Sequence, residues 1–150
     1  MENNWISIKK LQPEIGQLAL VNLGGYGRYY IASFDWYSRE GGNHAWYTEA
    51  DDVLHAATTD DYWIPIPKKN EFKVFGENMP PFEQHLLIIH DDKLYEGKFV
   101  KNCWVSDKYP RTEAWHVDYH NFKPNSNDLW LQFADVTYHH SILDREAILL

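Results

Sequence analysis

This chain is poor in the features that most often announce a mechanism. Cys103 is its only cysteine in 150 residues, which excludes an intramolecular disulfide and fits an intracellular protein. No apolar stretch approaches the roughly 18 residues of a membrane-spanning helix. The opening Met1-Glu2-Asn3-Asn4-Trp5 lacks the basic and apolar segments of a signal peptide. Basic residues are also scarce. There are 14 Lys and Arg against 22 Asp and Glu, a formal charge of −8, and the notable basic doublets are Lys9-Lys10 and Lys68-Lys69. Phosphate neutralisation needs clustered cations, so direct nucleic-acid binding is not expected. The carboxylates are scattered rather than set in long runs, which favours a solubility role over mimicry of nucleic acid. Together these absences predict a cytoplasmic protein without a membrane partner.

Catalytic signatures are missing too. No serine nucleophile elbow occurs. Gly24-Gly25-Tyr26-Gly27 lacks the helix and the lysine-serine pair of a phosphate-binding loop, and reads better as a hairpin turn. Cys103 with any of the eight histidines could be drawn as a nucleophile pair. Beside Trp104 in a strand-like run, it is better read as a buried structural thiol. No cofactor is expected.

What the chain has is aromatic side chains, and it has them in a repeated order. Seven Trp, ten Tyr and seven Phe make up 16% of it. Trp63 in Asp61-Tyr62-Trp63-Ile64 recurs as Trp130 in Asp128-Leu129-Trp130-Leu131, an offset of 67. The same offset carries Trp5 onto Phe72, Pro13 onto Pro80, Gln17 onto Gln84, Leu20 onto Leu87 and Val21 onto Ile88. With a slip of one or two residues, Trp36 falls on Trp104 and Ala45-Trp46 on Ala114-Trp115. A period this long predicts two similar small domains. Each would have a marginal core, so the two are expected to pack together.

Strand-like runs dominate both halves, which predicts a mainly β fold with minor α. Leu18–Leu23, the glycine pair and Arg28–Phe34 form a hairpin pattern, because glycine tolerates the positive φ of tight turns. His85–His90, Asp91-Asp92 and Leu94–Val100 repeat it. Each half closes on a tryptophan strand, 62–66 and 129–133. Pro65 and Pro67 place the first of these at an edge or at its end there. Thr48-Glu49-Ala50-Asp51 resembles a capping box opening a short helix through about Ala57. Asp51-Asp52 and Asp60-Asp61 bracket that helix. In the second half, Ser106 to Pro110 and Phe122 to Asn127 read as loops around an apolar island at Trp115. The expected organisation is a first β module over 1–67, a linker at 68–71, a diverged second module over 72–134 and a helical tail over 135–150 capped by Ser141. The modules are expected to be small antiparallel barrels or sheets in tandem.

Trp5-Ile6-Ser7, Leu11, Pro13-x-x-Gly16, the aliphatic run Leu18–Val21 and the closing Trp63-Ile64-Pro65-Ile66-Pro67 resemble the pattern of the family called "domain of unknown function 551". The likeness covers residues 5–67. Its members are short domains found largely in phages and prophages. They open on a Trp-Ile/Met-Ser/Pro segment and close on a Trp-Met-Pro-Leu-Pro-like strand. The second half departs from the pattern. Phe72 replaces the opening tryptophan, Glu83 replaces the glycine, and Trp130-Leu-Gln-Phe133 lacks the prolines. The resemblance implies an accessory phage-type protein built on a small β module. It brings no catalytic residues.

Candidate binding residues follow from the densest aromatic series. Tyr30, Trp36, Tyr37, Trp46 and Tyr47, with Trp115 in the second half, are interface-type side chains. Arg28 and Arg39 could pair with a phosphate or carboxylate held nearby. A competing reading packs these rings in the seam between domains. His116-Val-Asp118-Tyr-His120 is the sharpest metal-like constellation, with His139-His140 as completing ligands. Alternate positions on one strand sit about 7 Å apart, however, which rarely lets three ligands converge. The expected function is that of a non-enzymatic, phage-type accessory protein that binds and interferes with an unidentified host protein, such as a component of a defence system. One alternative is a small-molecule protein that sequesters a nucleotide signal in a cleft between two related domains. Another is a metal-dependent hydrolase around His116, Asp118 and His120. A homo-oligomer through the C-terminal tail is a further candidate arrangement.

Overall fold

Alternation of inward and outward side chains makes the strands. Along Tyr29–Ser38 the even positions Ala32 and Phe34 are buried while Asp35 is exposed, the period of a half-buried strand. The computed structural model describes residues 5–25, 29–38, 43–48, 52–106, 108, 111–117 and 120–135, with every side chain there except those of Tyr37 and Ser38. Two compact units divide between Ile66 and Pro67.

Unit 1 contains β1 (Ile6–Ser7), β2 (Leu18–Asn22), β3 (Tyr29–Ser38), β4 (Asn43–Thr48), β5 (Val53–Ala56) and β6 (Tyr62–Pro65). They form one six-stranded antiparallel sheet in the order β1-β6-β2-β3-β4-β5. Unit 2 contains β7 (Lys73–Val74), β8 (Leu86–His90), β9 (Lys93–Cys103), β10 (Thr112–Val117), β11 (His120–Phe122) and β12 (Leu129–Gln132). Its sheet runs β7-β12-β8-β9-β10-β11, the same topology.

Register shows that the halves are structural repeats. Val21 pairs with Trp63 and Ile88 with Trp130. Ile6 also pairs with Trp63, and Lys73 with Trp130. The indole of Trp63 donates to the Leu11 carbonyl at 2.8 Å, and that of Trp130 to the Asn78 carbonyl at 2.9 Å. On the next strands Phe34 faces Trp46 as Phe99 faces Trp115. Both long strands, β3 and β9, carry a bulge at the same end. This register matches Ala45-Trp46 with Ala114-Trp115. It sets Trp36 against Lys101 rather than Trp104, because Phe34 and Phe99 are equivalent. The Trp36–Trp104 correspondence expected from sequence is therefore corrected. It relied on spacing in a region where the connection between the first two hairpin strands differs in length.

One face of each sheet carries an aromatic-rich core cluster, while Leu20, Ile64 and Leu87 are buried on the other face. In unit 1 Ile6, Ile8, Val21, Phe34, Trp46 and Trp63 cluster, and in unit 2 Leu86, Ile88, Phe99, Trp115, Val117 and Trp130 do. Burial of such a side chain is worth roughly 1.5–3 kcal/mol.

Several expectations change. The capping-box segment does not open a helix through Ala57. Residues 53–56 are β5, and Thr48 Oγ1 donates to the Val53 carbonyl at 3.2 Å within the hairpin. The β4 ladder satisfies this backbone, and Val53 suits a strand better than a helix. Neither sheet closes into a barrel among the described residues; β1 and β5 are the two edges of one sheet, β7 and β11 of the other. The Trp115 island is strand β10, and Phe122 lies in strand β11 rather than in a loop. Pro65 is the last residue of β6, an interior strand, so its missing donor falls at the strand end. Asp91 and Asp92 form the β8–β9 turn with φ of 50° and 63°, and Gly24 and Gly25 open the β2–β3 connection with φ of 64° and 73°. Beyond Asp135, the expected helical tail lies outside the described residues. No helix among those residues is long and apolar enough to cross a membrane.

Candidate functional site

Two buried aspartates anchor the places where function was expected. Asp61 is 2% exposed and ends the short connection from β5 to β6. Its Oδ2 accepts the Trp46 indole N–H at 2.8 Å and the Thr58 backbone N–H at 2.9 Å. Its Oδ1 accepts the Gly24 backbone N–H at 2.8 Å and the Thr58 hydroxyl at 3.2 Å. A buried carboxylate needs such donors to offset its lost hydration. Trp46, offered above as a binding residue, is 0% exposed. It is corrected to a core residue, because its ring fills the sheet face and its only polar atom is used by Asp61.

Asp128 repeats the arrangement with one change. Its Oδ2 accepts the Trp115 indole and the Asn125 backbone N–H, each at 2.8 Å. The remaining partner is His90, whose Nδ1 lies 2.8 Å from the same oxygen. An ionised carboxylate only accepts, so that nitrogen carries the proton. The other ring nitrogen lies 3.3 Å from Asp91 Oδ2, and the ring stacks on Phe122. Trp115, fully buried, is likewise corrected from binding residue to core. An Asp–His pair can orient a general base. Here the second nitrogen faces a carboxylate rather than a nucleophile. Cys103 sits at the far end of β9 from Lys93, the partner of His90, roughly 33 Å of strand away. The cysteine itself is half-buried rather than buried.

The metal-like constellation does not assemble. The expectation placed His116 and His120 on one strand face. They lie instead on β10 and β11, in a hairpin where Val117 opposes His120 and Asn121 opposes His116. Opposed residues share a face and neighbours alternate, so the two histidines point to opposite sides. His116 Nδ1 is 2.7 Å from Asn121 Oδ1. Asp118 lies outside the described residues, and those residues contain no group of three or more His, Cys, Asp or Glu able to hold a metal.

The remaining candidates separate by exposure. Tyr30 is half-buried with its ring against His55, centroids 5.3 Å apart. Tyr47 is half-buried, and its hydroxyl donates to Asp52 at 2.8 Å. Trp36 is 40% exposed. It caps a column of rings, stacking on His44 at 4.5 Å, which stacks on Phe34 at 4.9 Å. Arg28, Arg39 and the Tyr37 side chain lie outside the described residues. The sequence reading missed Trp104, the most exposed tryptophan described at 57%, whose carbonyl is held by the Asn121 amide at 2.9 Å. Its signal was the polar pair Lys101-Asn102, which ends the regular alternation of β9 just before it. Five tryptophans are buried, namely Trp5, Trp46, Trp63, Trp115 and Trp130.

Comparison with protein families, curated proteins and solved structures returns no match to this chain.

Proposed function

We propose that the chain is a non-enzymatic binding protein that uses exposed tryptophans, Trp36 first among them, to engage a host protein. The supporting observation is the Phe34–His44–Trp36 column. It roots an exposed indole in the core, so the ring is held in place before any partner arrives. A rigid aromatic anchor loses little entropy on binding, and tryptophan is enriched among residues that dominate interfaces. The resemblance read in the sequence of residues 5–67 to phage-type domains favours a host protein as the target, in the host cytoplasm and within a defence system. The buried aspartates fit this reading, since their donors serve folding.

The test replaces Trp36 with a photo-crosslinking phenylalanine in cells. The expected result is a crosslink to one host protein, whose purified form binds the wild type and binds Trp36→Ala at least tenfold more weakly, a loss of about 1.4 kcal/mol or more. Wild-type affinity retained by both Trp36→Ala and the double Trp36→Ala/Trp104→Ala variant would reject the reading. A small molecule released on denaturation in native mass spectrometry would shift it toward ligand sequestration.

A further inference from the structure

We infer that β5 is a self-association edge, through which two copies of the chain join their first sheets across a twofold axis. The inference stands apart from the role given to Trp36.

The described residues present four sheet edges, β1, β5, β7 and β11. Exposed edges invite pairing unless they are short or blunted by lysine or proline. β1 and β7 are two residues long, and β7 carries Lys73. β11 has three residues and runs into Lys123-Pro124. β5 has four residues, no lysine, no proline and an unbroken register with β4. Its Val53 and Leu54 are 38% and 45% exposed.

The backbone direction follows from one hydrogen bond. Ala57 N donates to the His44 carbonyl at 3.0 Å. Antiparallel pairs alternate between bonded and non-bonded. The register Trp46–His55 and Thr48–Val53 therefore supplies the inward bonds. Leu54 and Ala56 turn their N–H and C=O groups outward.

Those groups are complementary to themselves. In an antiparallel pair centred on His55, Leu54 meets Ala56 of the second copy, and Ala56 meets its Leu54, giving about four hydrogen bonds. Val53 then meets Ala57, so a larger side chain lies beside a smaller one on each face. Asp52, the charged residue at the start of this stretch, falls opposite Thr58 rather than another carboxylate. A twofold pairing of one strand with itself is the isologous contact expected of a homodimer. The strand is short, so association is weak and concentration-dependent.

Sedimentation velocity of the full chain over a concentration series tests this. The wild type should show a monomer–dimer equilibrium. Ala56→Pro removes an outward N–H and leaves the β4 ladder intact, a place where an edge strand tolerates proline. It should weaken the dimer at least tenfold with unchanged circular dichroism. Leu54→Lys should do the same, so a misfolded proline variant would leave the question answerable. His55→Cys in a Cys103→Ser background should form a disulfide-linked dimer on oxidation, as opposed residues of a non-bonded pair come within bridging distance. A wild type that stays monomeric at every concentration overturns the inference, as does a dimer that a folded Leu54→Lys variant retains.

Discussion

The two units hold the same buried carboxylate with different neighbours. Asp61 receives an indole, a threonine backbone N–H, a threonine hydroxyl and the backbone N–H of Gly24. Asp128 receives the matching indole and backbone N–H, and then the imidazole of His90. His90 occupies the place that Leu23 takes at an offset of 67. In unit 1 the connection from Asn22 to Tyr29 is long enough to bring a glycine in left-handed conformation onto the carboxylate. In unit 2 the connection is a tight Asp91-Asp92 turn, and a side chain does the donating instead. The requirement of the fold is a satisfied acid at the base of the last strand. Which group satisfies it varies with the neighbouring turn.

The largest expected effect breaks this node. Asp61→Ala or Asp128→Ala leaves several buried donors without an acceptor and should cost about 3–5 kcal/mol. Hydrogen exchange followed by mass spectrometry should show protection falling first in the unit that carries the change. Equal loss in both units would contradict the picture of two separate nodes.

A gentler change isolates the indole. Trp46→Phe and Trp115→Phe keep most of the ring volume and remove one bond to a charged acceptor, a loss of roughly 1.5–3 kcal/mol. Urea denaturation should give similar losses for the pair. A much smaller loss for Trp115→Phe would mean that His90 compensates in unit 2.

The third comparison concerns one turn. Gly16 has φ of 84° and its equivalent Glu83 has φ of 63°. Both backbone nitrogens donate to the matching phenylalanine carbonyl, Phe34 at 2.6 Å and Phe99 at 2.9 Å. A methyl group on Gly16 would meet nothing within 4 Å, so only the backbone conformation matters there. Gly16→Ala should destabilise by about 1 kcal/mol, and Glu83→Gly should stabilise by a similar amount. Thermal melts of the two variants should move in opposite directions.

The smallest effect is on titration. The ring of His85 lies against Phe133, with centroids 5.4 Å apart. Partial burial, and then the charge of Lys98, hold its pKa below the ordinary 6.5. A histidine lowered in the folded state binds its proton more readily when unfolded. Stability should thus be unaffected well above pH 6.5 and decline as pH falls through that value toward the lowered one. His85 is exposed, so the decline is small. In an NMR titration, Lys98→Gln should raise the His85 pKa toward the ordinary value; no movement would remove Lys98 as a cause.

Much of the fold was legible because β structure writes its period into local sequence. Alternation and the turn pairs Gly24-Gly25 and Asp91-Asp92 placed the hairpins, and the recurring Asp-x-Trp motif at 61–63 and 128–130 marked the closing strands. Thr48 to Ala57 misled because a capping box is a local signal, whereas β5 exists through pairing with β4. The candidate site was harder to read. Trp46 and Trp36 lie on the same strand-paired face, two rungs apart through His44, yet one is 0% and the other 40% exposed. Composition cannot separate them, since their difference lies in distance from the sheet's buried centre.

By itself, then, the sequence determined that this chain is mainly β, acidic, repeated in its aromatic order and without an internal disulfide, because periodicity, turn chemistry and charge are local or additive properties. Tertiary structure alone decided that Trp46 and Trp115 belong to buried aspartates, that His116 and His120 face opposite ways, that Trp36 and Trp104 reach solvent and that β5 is an edge of its sheet among the described residues. Those outcomes depend on which strands lie side by side, and burial and hydrogen-bond partnership exist only after the strands have paired.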